Sequence, residues 1–178
     1  MQWLIYAFLT VFTWGLYGVF LHSGQMEMKD AVFGRYKAFL WVGIAYFLFA
    51  VLAPLVLLKM QGSNWDFPRK GIWISLFAGT LGAIGAFGTL LAFGAKGSPA
   101  VVMSIVFAGA PVVNSIAAML MHPPKDGIAA VPWQFYLGML MAAGGGCLVV
   151  YYRPPSAPAA KSAAASGPKP APAQPGRS

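Results

Sequence analysis

The sequence is short of charge. Of its 178 residues only 9% are Asp, Glu, Lys or Arg, and the acids number four. Soluble domains carry about 25% charged residues. With 58% hydrophobic residues and a mean hydropathy of +0.67, a water-soluble fold would expose large apolar patches and aggregate. The solvent implied is a lipid bilayer. Cysteine is also scarce: Cys147 stands alone, which excludes an intrachain disulfide framework or a thiolate metal cluster. His22 and His122 fall at the ends of apolar runs, with no cysteine or carboxylate at ligand spacing. Ser98 has no base near it in sequence, and no Gly-Lys phosphate loop occurs. The expectation is a protein that is not an enzyme and carries no cofactor or metal.

The net charge of +8 raises nucleic-acid binding, but its placement argues against it. Arg153, Lys161, Lys169 and Arg177 lie in the last 26 residues, and the other bases are scattered between apolar runs. Bases beside a membrane report topology and contact with anionic lipid. No nucleic-acid partner is expected.

What is present is five long apolar runs, at about 3–21, 39–58, 71–95, 99–121 and 132–152, none containing Asp or Glu. Each is long enough to cross some 30 Å of hydrocarbon as a helix. Helices are required because lipid cannot satisfy a free strand's backbone groups. The runs lack the alternation of a membrane barrel. The first run has no basic segment before it and reads as a retained helix rather than a cleaved signal. The fold expected is therefore an all-α integral membrane protein, with a five-helix transmembrane domain over 1–152. Residues 153–178 form a basic Ala/Pro-rich tail, seven of whose 26 residues are proline, and such a composition predicts disorder.

Tryptophan supports the count. Trp3, Trp73 and Trp133 stand near the starts of runs one, three and five, which alternation places on one membrane face. Tyr151 and Tyr152 end run five on the other face, as interfacial aromatic belts require. The N-terminal face carries Lys59, Arg69, Lys70 and Lys125, and the opposite face Lys29, Arg35, Lys37, Lys96 and Arg153. Together with the tail bases, this favours a cytoplasmic C-terminus in a cell (inner) membrane, and the near balance permits insertion both ways.

Polar and helix-breaking residues inside the spans mark candidate functional positions. Thr10, Trp14 and Tyr17 recur at i, i+4 and i+7 on helix one, a single stripe with a mid-span indole that needs an acceptor or a wet cavity. Pro111 lies mid-span in helix four and leaves the carbonyl of Phe107 without its backbone donor. Asn114 follows by one turn and Ser104 precedes by two. Freed backbone beside polar side chains at mid-depth is how many transporters build a binding site. The substrate-binding candidates are thus Thr10, Trp14, Tyr17, Ser104, Pro111 and Asn114. Pro54 is expected only to bend helix two. Arg35 and Lys37 flank the start of helix two, where bases usually snorkel; a gating or anion-attracting role is the alternative. Gly79, Gly82, Gly85 and Gly88 on helix three, and Gly138, Ala142 and Gly146 on helix five, offer small faces for close helix packing or for a seam between subunits.

The ordered set resembles the EamA-type repeat of the drug/metabolite transporter superfamily. The features that carry the resemblance are Thr13-Trp14-Gly15 in the first helix, Arg35 leading into the second, and a Gly-rich third ending in Leu91-Ala92-Phe93-Gly94-Ala95. The fourth runs from Ser98-Pro99-Ala100 to Ala110-Pro111-Val112, and the fifth from Leu137-Gly138 to Gly144-Gly145-Gly146. Two departures matter. His122-Pro123-Pro124 stands where members often carry a Gly-Glu pair, and there is one repeat where most members fuse two. The first helix also lacks the carboxylate by which small multidrug resistance relatives exchange protons for drugs. The resemblance implies a half-size transporter subunit moving a small-molecule solute by alternating access, in a homodimer or paired with another half. The alternative is a non-transporting scaffold or accessory subunit in membrane lipid.

Overall fold

The computed structural model describes residues 2–153, with the side chain of Ala129 left aside. The tail expected to be disordered lies outside the described residues from 154 onward. The described residues are helical and contain no strand. Five helices are long and apolar enough to cross a membrane: α1 Gln2–Glu27, α2 Gly34–Met60, α3 Arg69–Gly94, α4 Pro99–Met121 and α5 Trp133–Tyr151. A single 3-10 turn, Ile128–Ala130, lies between α4 and α5, and the Tyr136 hydroxyl of α5 donates to its Ile128 carbonyl at 3.3 Å.

α1 and α2 extend beyond the apolar runs that mark them. At 1.5 Å per residue, α1 is about 39 Å long, more than the hydrocarbon needs. Its last turns (Ser23 to Glu27) therefore extend past the apolar run while the backbone stays helical.

The two internal prolines act differently. Pro54 cannot donate, and its ring crowds the carbonyl four residues back. The turn before it widens over Leu48–Leu52, and the Ala53 N–H bonds the Leu48 carbonyl five residues back. A single-turn π-bulge of this kind is a recognised cause of local bending. α4, by contrast, continues as α-helix through Pro111.

The helix ends are closed by backbone geometry. After α3, Gly97 N–H bonds the Ala92 carbonyl at 2.9 Å and Lys96 N–H bonds Phe93 at 3.1 Å, the pair of bonds of a Schellman cap. The left-handed position in it is filled by Lys96, φ 69°, where glycine is usual. The same cap ends α2, with Ser63 bonding Leu58 and Gly62 bonding Lys59, and there the left-handed residue is Gly62, φ 63°. A methyl group on Gly97 would lie 2.7 Å from the Ala92 carbonyl oxygen, so the tight α3–α4 turn requires glycine. α4 then starts at Pro99 after an extended Ser98, the preferred first-turn site for proline.

α4 and α5 pack as a close antiparallel pair, and α5 rests chiefly on α4. Gly146 provides the closest approach: a methyl group there would run into Ala108 and sit 3.2 Å from the Ser104 carbonyl. Helices α1, α2, α3 and α4 meet at one end. Leu21 of α1, Leu90 and Phe93 of α3 and Met103 of α4 form the buried cluster, with Tyr17, Phe39, Val42 and Val102 packed against it. Ala38 and Ala86 are buried too, and Leu90 is 0% exposed. Gly18 lets Met103 approach: a methyl group there would lie 2.7 Å from the Met103 Sδ. These residues occupy the last part of α1 and α3 and the first part of α2 and α4, one end of an alternating bundle. At the other end, residues 2–14 of α1, 43–52 of α2 and 69–85 of α3 are all exposed.

Candidate functional site

The six sequence candidates fall into two groups. On α1, the Trp14 and Tyr17 rings lie 5.8 Å apart and tilted, near the boundary between the packed and the open end. Trp14 is 42% exposed. Thr10, a turn nearer the open end, donates its hydroxyl to the Tyr6 carbonyl at 2.9 Å, so its polar demand is met within α1. Tyr17 is half-buried and stands beside Tyr46 of α2, with its hydroxyl buried and unpartnered. It lines a groove of about 250 Å³ between α1 and α2, together with Gly24, Ala38 and Trp41.

On α4, Ser104 donates to the Ala100 carbonyl at 2.6 Å, and its own carbonyl faces Gly146 of α5. Pro111 lines a groove of about 280 Å³ between α4 and α5, with Ser115 and Gly138. Asn114 is exposed, an amide at mid-span turned outward from its own bundle. Tyr17 thus faces the α1–α2 groove, Thr10 and Trp14 are exposed, and Ser104 and Pro111 belong to the α4–α5 pair.

The glycine stripe of α3 is unused within the chain. A methyl group on any of Gly79, Gly82, Gly85 or Gly88 would touch nothing within 4 Å. Gly85 and Gly88 border a groove of about 310 Å³ facing Val102 and Ile105 of α4. In α5, Gly146 does pack on α4, while Gly138 and Ala142 line the groove beside Pro111.

Sequence reasoning missed a polar group at the packed end. Gln25 is 9% exposed; it shares a face of α1 with Gly18 and Leu21, at i+7 and i+4. His22 packs edge-on against Phe93 of α3, ring centres 5.5 Å apart. Arg35 lies along Gly94 of α3, its Cδ 2.9 Å from where a methyl group there would sit, and its guanidinium is 5.0 Å from the Tyr36 ring centre. The spacing of Gln25 from Gly18 and Leu21 was the available signal. It was masked because that stretch is more polar than the run before it and reads as a helix end.

Beside this group, Asp30 organises the α1–α2 connection. Its carboxylate accepts from Lys37 Nζ at 2.6 Å and from the backbone N–H groups of Phe33 at 2.8 Å and Val32 at 3.0 Å. The Lys37 bond, and then the Phe33 N–H, draw its pKa from 3.8 down to about 2. Among the described residues this is the one ion pair, and no group of three or more His, Cys, Asp or Glu could hold a metal ion.

No family model, no curated protein and no solved structure matches this chain. What it does must be argued from the arrangement just described.

Proposed function

We propose that the chain is a half-size membrane transporter subunit of EamA-like type, moving a small metabolite or drug-like solute by alternating access. The observation that carries this reading is the asymmetry of the bundle. Helices α1, α2 and α3 pack with α4 at one end and are exposed at the other, the outline of one half of an alternating-access pathway. Trp14 and Tyr17 stand where the two ends meet, and an aromatic wall there suits a flat or cationic solute. Transport sites of this kind form between two inverted halves. Five spans are an odd number, so the second half is either an oppositely inserted copy or a different partner. The exposed amide of Asn114 and the unoccupied α3 stripe supply faces for it. The setting is a cell (inner) membrane with the tail in the cytoplasm, by the balance of loop bases.

The test is the surroundings of Trp14 in a reconstituted bilayer. In a Cys147→Ser background, Trp14→Cys should react with a membrane-impermeant maleimide supplied from the N-terminal face. Reaction only with a lipid-soluble reagent would place position 14 against acyl chains and sink the transport reading.

A second reading is a scaffold or accessory subunit that keeps the fold without a pathway. The absence of any Asp or Glu between residues 31 and 65, and between 67 and 125, favours it, since these stretches offer no carboxylate for proton coupling.

A further inference from the structure

Three buried polar atoms at the packed end have no hydrogen-bond partner among the described residues: His22 Nδ1, Gln25 Nε2 and Arg35 Nε. They come from two helices that the end of α3 draws together. Phe93 holds the His22 ring, and the next residue, Gly94, carries the Arg35 side chain. On the other side, the backbone carbonyl oxygen of Gln25 lies 3.1 Å from where a methyl group on Gly34 would sit, and Gly34 precedes Arg35 in the chain. Gln25 is one turn beyond His22 on α1.

The chemistry of this group is that of a donor set. An amide NH2 and a guanidinium N–H can only donate, and a neutral imidazole donates from Nδ1 in one of its two tautomers. Arg35 also carries a charge that no ion pair among the described residues cancels. Asp30, the carboxylate of the α1–α2 connection, is taken by Lys37 and by the Phe33 and Val32 N–H groups, and Arg35 makes no ion pair among the described residues. Lys29, Lys37 and Lys96 stand at the same end against two acids, Glu27 and Asp30, so the local potential favours an anion. The position is the end of α1 and α3 and the start of α2, which is headgroup depth.

We propose that His22, Gln25 and Arg35 form a binding site for an oxyanion of phosphate type, supplied either by a lipid headgroup or by a soluble anion. The oxygens would accept from the Gln25 amide, the Arg35 Nε and the His22 Nδ1, and the anion would neutralise the guanidinium. The site is independent of whether the chain transports.

The experiment uses the full chain in maltoside micelles, which carry no phosphate, and follows its thermal unfolding midpoint. One arm adds inorganic phosphate, against chloride at matched ionic strength. The other adds phosphatidylglycerol to the micelles, against an uncharged diacylglycerol. A ligand held by the folded state raises the midpoint by mass action, here by about 3–5 °C for each tenfold gain in folding equilibrium. A rise with inorganic phosphate identifies a soluble oxyanion, and a rise only with phosphatidylglycerol identifies a headgroup. In either case Arg35→Gln and Gln25→Leu should abolish the rise, Arg35→Lys should keep part of it, and Lys125→Gln on the opposite face should leave it unchanged. If Gln25→Leu fails to fold, the comparison of Arg35→Gln with Arg35→Lys carries the test. No rise in either arm, or a rise that survives Arg35→Gln, overturns the site.

Discussion

The two ends of the bundle are built from similar residues and behave differently. At the end formed by Gly18 to Gln25, Gly34 to Val42, Ala86 to Phe93 and Pro99 to Met103, side chains of four helices interlock around Leu90. At the other end, equally apolar residues such as Ile84 and Phe12 stay exposed. In water such a difference would be unstable, because the hydrophobic effect would draw the open end together. In lipid the acyl chains are as apolar as the side chains, so only shape, hydrogen bonds and close backbone approach favour one contact over another. The glycines make the same point. Gly18 and Gly94 each admit one particular neighbour, Met103 and Arg35, whereas Gly79, Gly82, Gly85 and Gly88 admit none. A small residue permits close approach; the partner surface decides whether it occurs.

Truncation should separate the two ends most sharply. Leu90→Ala at the packed end should cost about 2–5 kcal/mol, the usual range for emptying a buried leucine site. Ile84→Ala, 62% exposed, should stay within about 0.5 kcal/mol for the isolated chain. Reversible unfolding in mixed detergent micelles measures both, and equal costs would erase the distinction between the ends.

Glycine substitution comes next. Gly97→Ala pushes a methyl group against the Ala92 carbonyl and should cost about 1–3 kcal/mol by forcing the turn apart. Gly82→Ala meets open space and should stabilise an isolated α3 by up to about 1 kcal/mol through helix propensity. If the α3 stripe is the seam with a second copy, the same Gly82→Ala change should weaken crosslinking between tagged copies, which the unfolding measurement would not see.

The two Schellman caps invite a smaller exchange. Lys96→Gly should stabilise the end of α3 by about 1 kcal/mol, since a non-glycine residue is strained in the left-handed region. Gly62→Ala at the end of α2 should lose a similar amount, and unfolding midpoints of the pair should move in opposite directions.

The smallest effect expected is on acid stability. The Asp30 pKa is depressed from 3.8 to about 2, so its contribution is present above pH 3.8 and is lost as pH falls toward 2. Asp30→Asn should therefore flatten the midpoint between those pH values and leave the slope at higher pH unchanged. An unaltered acid slope would show that the Lys37 pairing does not hold the α1–α2 connection together.

Much of the architecture was legible before any coordinates. The number of helices long and apolar enough to span and the disturbance at Pro54 follow from residue type, because hydrocarbon thickness and proline's missing N–H act locally. The break expected at Pro111 does not interrupt α4, which stays helical on both sides of it. The placing of the six candidates was not legible. Helical spacing set Thr10, Trp14 and Tyr17 on one stripe, but no periodicity could tell that Ser104 and Pro111 would turn toward α5. Gln25 escaped notice, and His22 was read only as an end-of-run residue without ligand partners, because a polar residue near a helix end is ordinarily solvated; in the fold Gln25 is buried and His22 packs on Phe93 of α3.

Composition and run length by themselves determined that residues 3–152 form five apolar helices, since charged and polar backbone groups cannot lie unpaired in hydrocarbon. The tertiary structure alone decided which end of those helices locks together and which polar atoms are trapped there. In an apolar solvent, that choice depends on the matching of surfaces between helices distant in sequence.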